Sequence, residues 1–346
     1  MQLMDLRFSD LQTQLAMWKQ PKFRAQQIWK WVYQHLATDF QDMTSLPKSL
    51  RQVLAQCYSL EPLEAIDDLV SRDGLTRKVL FRLQDGETIE SVWMVYDQRR
   101  TVCVSSQVGC AIGCAFCATG QSGFVRHLSA GEIVAQPLYF ARQQHERGRD
   151  QPLTNIVVMG MGEPMLNYDA VWQAVETWND PLAMNLGARR ITLSTAGHVP
   201  GIRRLSQEHI QVRLAVSLHA AEDDLRDQLV PLNRRYPLSD LLSACREYID
   251  CTGRRVTFEY ALMDGVNDTV AQAQRLAERL RGILCHVNLI PINPTPGGAY
   301  RPSPRERVRA FQQVLQEHRL PVTVRLRRGL DIRAGCGQLR QQSIHS

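Results

Sequence analysis

From Thr101 onward, short β-rich runs alternate with amphipathic stretches, and this alternation constrains the fold more than any other feature of the chain. "NIVVMGMG", "RRITLST", "QVRLAVSLH", "RVTFEYALM", "HVNLIPI" and "VTVRL" are rich in β-branched residues and too short for independent helices. Around them lie "SAGEIVAQPLYFARQQHER", "LSDLLSACREYID", "DTVAQAQRLAERLRG" and "SPRERVRAFQQVLQEHR", with apolar residues three and four apart. Ser129 and Glu132 make a capping box at the start of the first of these helices, and Pro137 inside it predicts a kink. Repeated β–α units predict a parallel sheet covered by helices, closed fully or partly into a barrel. In either form the chemistry belongs at the carboxyl ends of the strands.

The rest of the chain has a different character. Residues 1–59 contain three amphipathic stretches, "SDLQTQLAMWKQ", "KFRAQQIWKWVYQHL" and "PKSLRQVLAQCY", with start signals at Ser9 and Pro47. They predict a small helical domain of a nucleic-acid-binding kind, or a cap on the main domain. Residues 60–98 predict a β-hairpin linker, "TRKVLFRL" and "TIESVWMVY" joined by an Asp-Gly turn. Residues 99–346 form the core. No apolar run reaches the ~18 residues of a membrane span, and the N-terminus lacks a signal-peptide pattern, so a cytoplasmic location is the default. Between Arg301 and Arg340, ten arginines face only Glu306, Glu317 and Asp331, a local excess of seven positive charges. Such a segment suits a polyanion such as RNA, or is a solvated helix face.

Four of the nine cysteines fall within "CVSSQVGCAIGCAFC", Cys103 to Cys117. In a chain without an export signal, clustered cysteines read first as metal ligands or catalytic groups. Cys110, Cys114 and Cys117 have the spacing C-x3-C-x2-C. A closed zinc site wants four ligands, usually as two pairs, and the second pair is missing. A [4Fe–4S] cluster is saturated by four cysteines, so three leave one iron open to a small molecule. Together with Phe116 just before the last cysteine, the motif resembles that of the radical S-adenosylmethionine (SAM) superfamily.

"VSSQVGCAIGCAFCATGQSGFVRHLSAGEIVAQ", "NIVVMGMGEPMLNYD", "ITLSTAG", "AVSLHA", "EYALMDGVND", "NLIPINP" and "GLDIRAGCGQL" follow one another in the order seen in a single family, the radical-SAM RNA adenine methyltransferases (RlmN/Cfr). The likeness runs from about Phe23 to Leu339 and is nearest to the branch that methylates adenine C2 of 23S ribosomal RNA. It implies a partial (β/α) radical-SAM barrel, one [4Fe–4S] cluster on Cys110, Cys114 and Cys117, and two SAM molecules per turnover. It further implies that Cys336 is methylated first and then joined covalently to RNA through that carbon. Cys103 would release the product by forming a transient disulfide with Cys336, and Glu90 would accept the adenine ring proton. Gly162, Glu163, Ser194, Ser217, Leu218, His219 and Asn293 match the family's SAM contacts. Implied partners are 23S rRNA, tRNA as a second RNA, and an electron donor such as a flavodoxin or ferredoxin; a monomer is the default.

Cys57, Cys245, Cys251 and Cys285 match no motif and read as structural. Ser346 follows Leu339 by seven residues, a shorter tail than many family members have. The arginine-rich segment around Cys336 reads as a flexible loop that carries the methyl group towards RNA. Three alternatives stay open: C8 rather than C2 as the target, a radical-SAM enzyme for a small molecule, and a zinc-dependent RNA-binding module.

Overall fold

The computed structural model describes residues 1–148, 152–295, 298–325 and 328–339. Three helices come first, α1 (Phe8–Met17), α2 (Phe23–Tyr33) and α3 (Lys48–Cys57). α1 starts one residue before Ser9: Asp10, rather than Ser9, closes its first turn by accepting from the Arg7 amide. These helices share one apolar core with the rest of the chain, through Leu11, Ile28, Trp29 and Leu54. Polar contacts fix them in place. Asp5 accepts from the Gly131 amide at 2.8 Å, and the Trp29 indole donates to Asp180 at 2.9 Å.

Twelve strands follow: β1 (Glu64–Val70), β2 (Thr76–Arg82), β3 (Thr88–Val95), β4 (Arg100–Cys103), β5 (Gln107–Gly109), β6 (Phe124–His127), β7 (Asn155–Val158), β8 (Ile191–Thr195), β9 (Arg213–Ser217), β10 (Val256–Leu262), β11 (Cys285–Pro291) and β12 (Val322–Val324). Ten of them make one sheet in the order β1-β2-β3-β4-β7-β8-β9-β10-β11-β12, while β5 and β6 pair apart. β4 and β7 to β12 are parallel and lie in chain order, so each crossover advances by one place. The sheet has two free ends, β1 and β12: it is an incomplete parallel barrel, with helices on its outer face. The expected β2–β3 hairpin is present, but it is no isolated ribbon. β3 pairs with β4, and β1 adds a further antiparallel strand at the edge. β1, "EAIDDLV", is largely exposed and acidic, as suits an edge strand and as hides it from a search for buried runs.

α4 (Ala118–Gln121), α5 (Ala130–Glu146), α6 (Tyr168–Asn179), α7 (Val199–Ser206), α8 (Asp223–Leu229), α9 (Leu238–Thr252), α10 (Val270–Arg279) and α11 (Arg305–Glu317) complete the chain. The Ser129–Glu132 capping box opens α5, which continues through Pro137. α5 also shows which face of the sheet is outside. Ser91 of β3 donates to Gln136 of α5 at 2.6 Å. Its neighbours Glu90 and Val92 therefore point inward, and Val92 pairs with Cys103 across the β3–β4 ladder. Among the described residues no helix is long and apolar enough to cross a membrane.

Candidate active site

Cys110, Cys114 and Cys117 occupy the turn between β5 and α4, at the carboxyl end of the barrel strands. The turn is closed by the Cys110 amide donating to Gly123 at 2.7 Å, and Gly109 (φ +74°) has no room for a side chain against the Gly123 carbonyl. All nine cysteines are free thiols. Burial pushes the Cys110 thiol up to about 12, helped by the neighbouring Glu163 and Cys117, and burial and the other two cysteines raise Cys114 well above its ordinary value. Two buried sulfurs that resist ionisation, with the Cys117 sulfur beside them, are the donor set a cationic cluster would relieve. Among the described residues, no three His, Cys, Asp or Glu side chains converge on a point where a single metal ion would sit. A [4Fe–4S] cluster takes each thiolate on a different iron, so its ligands stand apart around a larger body.

The three thiols line one end of a cavity of about 170 Å³, which also takes in Gly162, Glu163, Ser194, Ser217, His219 and Asn293. They come from the carboxyl ends of four β-units, those of β7, β8, β9 and β11, as expected. Gly162 has φ +102°, and a Cβ there would lie 2.6 Å from Gln107 Cβ and 2.8 Å from its amide nitrogen. That turn presents Glu163, whose carboxylate accepts from the Ala196 amide at 2.7 Å and the Met165 amide at 3.1 Å. Burial nonetheless pushes Glu163 up to about 7, against these bonds. His219 (φ +61°) accepts from the Ala261 amide through Nδ1 at 2.9 Å and packs edge-on to Phe116. Burial and the Arg226 charge push it down to about 3, so it stays neutral. Asn293 donates to the Cys336 carbonyl at 3.3 Å, while its own buried Oδ1 has no partner. An orphan acceptor aimed at a cavity fits a ligand with a donor, such as an adenine amino group.

Cys336 sits where this cavity meets a smaller one of about 40 Å³, lined by Cys103, Met94, Tyr96, Arg325 and Arg328. That chamber has room for a few waters, not for a cofactor. Arg325 donates to the Cys336 sulfur at 3.2 Å. Cys103 is pushed up to about 12, by burial and then by the charge of Cys336, with Arg325 acting in the opposite direction. The "GCGQL" segment is not loose in this structure. Gly337 accepts from the Ala118 amide at 2.8 Å, Leu339 from Thr119 at 2.6 Å, and Gln338 donates to Pro294 at 2.8 Å. Of the arginine-rich segment, Leu326, Arg327 and everything from Arg340 on lie outside the described residues.

Two of the expected site residues stand elsewhere. Leu218 does not line the cavity: its side chain is buried in the core, and its backbone bonds to Glu259 and Arg226. Glu90 does not line it either. It is buried on the inner face of β3, and its carboxylate meets the Lys78 ammonium at 2.7 Å. Cys57 and Cys251 are exposed, and only Cys245 and Cys285 are buried as structural cysteines would be. Other residues escaped the sequence reading. Arg226, wholly buried, donates to the carbonyls of Ala196, Ser217 and Leu218 and to Asn233, tying the ends of β8 and β9 together. Arg325 faces the cavity without any motif of its own, and Glu259, although it opens the "EYALMDGVND" block, had no role assigned to it.

Comparison with known proteins decides the family. Residues 1–60 match the ribosomal RNA large subunit methyltransferase N-terminal domain, and residues 104–277 match the radical SAM superfamily. A probable dual-specificity RNA methyltransferase RlmN from Chloroflexus aurantiacus is 49% identical, over 97% of this chain and 92% of its own. The corresponding protein of Desulfitobacterium hafniense is 48% identical, over 98% and 96%. The chain belongs to the RlmN family. In the RlmN family setting, the chain is a SAM-dependent RNA methyltransferase of the radical SAM superfamily, with a [4Fe–4S] cluster and two SAM molecules per turnover. A crystal structure of a radical SAM methyltransferase from Sphaerobacter thermophilus superimposes with a TM-score of 0.95, at 55% identity over 98% of this chain and 99% of that one.

Proposed function

We infer that this RlmN-family chain methylates adenine C2 in 23S rRNA and in tRNA, through an S-methyl group on Cys336 and a covalent protein–RNA adduct released by Cys103. The observation that carries this reading is the position of Cys336. Its sulfur lies between a cavity lined by the three-cysteine loop and a chamber lined by Cys103. A structural cysteine has no need of either neighbour.

Cys110, Cys114 and Cys117 would hold the cluster, and Glu163, Ser194, Ser217, His219 and Asn293 would hold SAM at its open iron. When bound, these groups supply a methyl donor and a carbon radical able to take a hydrogen atom, chemistry that a weakly nucleophilic ring carbon requires. Cys336 accepts the methyl group on its sulfur and presents that carbon to the adenine. Glu90 takes the ring proton, from its place on the inner face beside Lys78. Cys103 then attacks the Cys336 sulfur. The S–S bond forms, the S–C bond breaks, and the electron pair stays with the product carbon, which takes up a proton. Two electrons from a flavodoxin- or ferredoxin-class donor return the disulfide to thiols. Charge complementarity supports RNA as the substrate, because the segment leading to Cys336 carries the arginine excess.

The test is a pair of variants with rRNA and tRNA fragments under anaerobic turnover. Cys103→Ala should accumulate a protein–RNA adduct that survives denaturation, and Cys336→Ala should form none. Full turnover in either variant refutes the two-thiol reading. Mass spectrometry and proton NMR of the released nucleoside separate C2 from C8.

A further inference from the structure

Cys336 is held by one strong polar contact, the Arg325 guanidinium at 3.2 Å. Arg325 continues β12, its amide donating to Leu289 of β11 at 2.8 Å, and its side chain lines both the cofactor cavity and the Cys103 chamber. The charged and titratable groups facing it are Cys336 from the C-terminal segment, Glu259 from β10, Tyr96 after β3 and Cys103 from β4. Arg328 lines the same chamber, but its guanidinium lies over the Tyr96 ring, 4.6 Å from the centroid. Glu259 is itself anchored by Asn288, which donates to it at 2.8 Å. One guanidinium therefore stands among two thiols and one carboxylate. A lysine could not place a donor on Cys336 and face Cys103 and Glu259 with the same rigid fork.

We propose that Arg325 is the positioning residue for both sulfurs in turn: it donates to the Cys336 sulfur and aims it into the cofactor cavity and, once that sulfur is alkylated and neutral, places its charge at the service of Cys103. This rests on the reading of Cys336 as methyl acceptor. In the first step the thiol proton passes to water. The Cys336 sulfur then bonds to the methyl carbon, and the carbon–sulfonium bond breaks with its electron pair going to the departing thioether. Alkylation removes the negative charge that opposes ionisation of Cys103, and the guanidinium loses its competing partner. The arrangement thus sets the order of the two thiols. Burial holds Cys103 as a neutral, weakly nucleophilic thiol, and it becomes easier to ionise once Cys336 carries carbon.

The test follows iodoacetamide labelling of each cysteine peptide in the cluster-loaded enzyme, as a function of pH. In Arg325→Met labelling of Cys336 near neutral pH should fall about tenfold. Arg325→Lys should recover most of that labelling but not the rate of Cys336 methylation. Glu259→Gln, which removes the opposing charge, should raise that labelling or leave it unchanged. A merely structural role would shift Arg325→Met and Glu259→Gln alike, and that result overturns the proposal, as does an unchanged profile in Arg325→Met. For the second thiol, Cys336→Ala should label several-fold faster at Cys103 than the parent, and Arg325→Met in that background should cancel the gain. If instead the double variant labels faster still, access and not charge explains the effect, and the proposal fails. Labelling reports the Arg325–sulfur contacts whether or not RNA is methylated. The intact mass of Cys336 in turning-over enzyme tests the methyl-acceptor reading separately.

Discussion

Gly162→Ala should damage both stability and cofactor binding, by an amount the structure lets one work out. The residue has φ +102°, outside the left-handed region that even Asn visits, so any side chain there strains the backbone by roughly 1–3 kcal/mol. The new Cβ would also lie 2.6 and 2.7 Å from Gln107 Cβ and Cγ and 2.8 Å from the Gln107 amide nitrogen. A flexible side chain could swing away, but Gln107 cannot. Its amide donates to the Met161 carbonyl at 3.2 Å, and its Oε1 accepts from the Glu163 amide at 2.8 Å. Overpacking of this kind costs a further ~1–3 kcal/mol, against which a stiffer unfolded chain returns ~0.4–1 kcal/mol.

The net loss is therefore about 1–5.5 kcal/mol. A natural control exists at Gly74, also at positive φ (+69°) but with open space where its Cβ would go. Gly74→Ala should lose only about 1 kcal/mol. Urea unfolding of the two variants should separate them by about 2 kcal/mol, or roughly 3 °C in Tm for a chain of this size. Because the strained turn carries Glu163, SAM affinity should fall about tenfold or more in Gly162→Ala and not at all in Gly74→Ala. Equal losses in the two variants would show that the Gln107 contact relaxes freely and that the turn is not what fixes Glu163.

Three further outcomes follow from buried charges. Lys78→Met leaves the buried Glu90 carboxylate without its lysine and should cost about 3–5 kcal/mol; adding Glu90→Gln should restore much of it, and a double variant no better than the single refutes the pairing. Arg226→Met abandons three buried carbonyls at the ends of β8 and β9, so a loss of about 3 kcal/mol or more is expected in chemical unfolding, and a loss under about 1 kcal/mol would contradict it. His219 is held neutral at about 3, below its ordinary 6.5, so the unfolded chain binds the extra proton first. Its contribution is complete above pH 6.5 and is lost as pH falls towards 3, at about 1.4 kcal/mol per unit; His219→Asn, which keeps an acceptor for the Ala261 amide, should flatten that part of the pH–stability curve.

How much of this was legible in the sequence depends on how local each cause is. The barrel strands β7 to β11 could be read because each is a buried run whose composition is set by the sheet on both sides. The α5 start could be read because Ser129 and Glu132 satisfy each other's amides within four residues. β1 could not, because its pairing with β2 is stabilised from one side only and its own residues face water. α7 was hidden by Pro200 and Gly201, which look like a break. A proline in the first turn loses no hydrogen bond, and Gly201 is needed because Met165 Cβ would lie 2.6 Å from a side chain there. The same distinction holds at the site. The three-cysteine loop and the strand-end Gly162, Glu163, Ser194 and Asn293 declare themselves, since a short spacing or a strand end places them. Arg325 and Arg226 declare nothing: an arginine in a basic run and an arginine in a short helix both have solvated readings. Glu259 lies in a matched block, yet a glutamate in a strand says nothing of its neighbours. Only the sheet register, which sets β10 and β11 side by side and turns the end of β12 inward, gives Arg325 two thiols and a carboxylate for neighbours. The groups that perform a reaction can be named by motif. The groups that set the order of its steps are defined by which charges share a cavity, and that is a property of the fold.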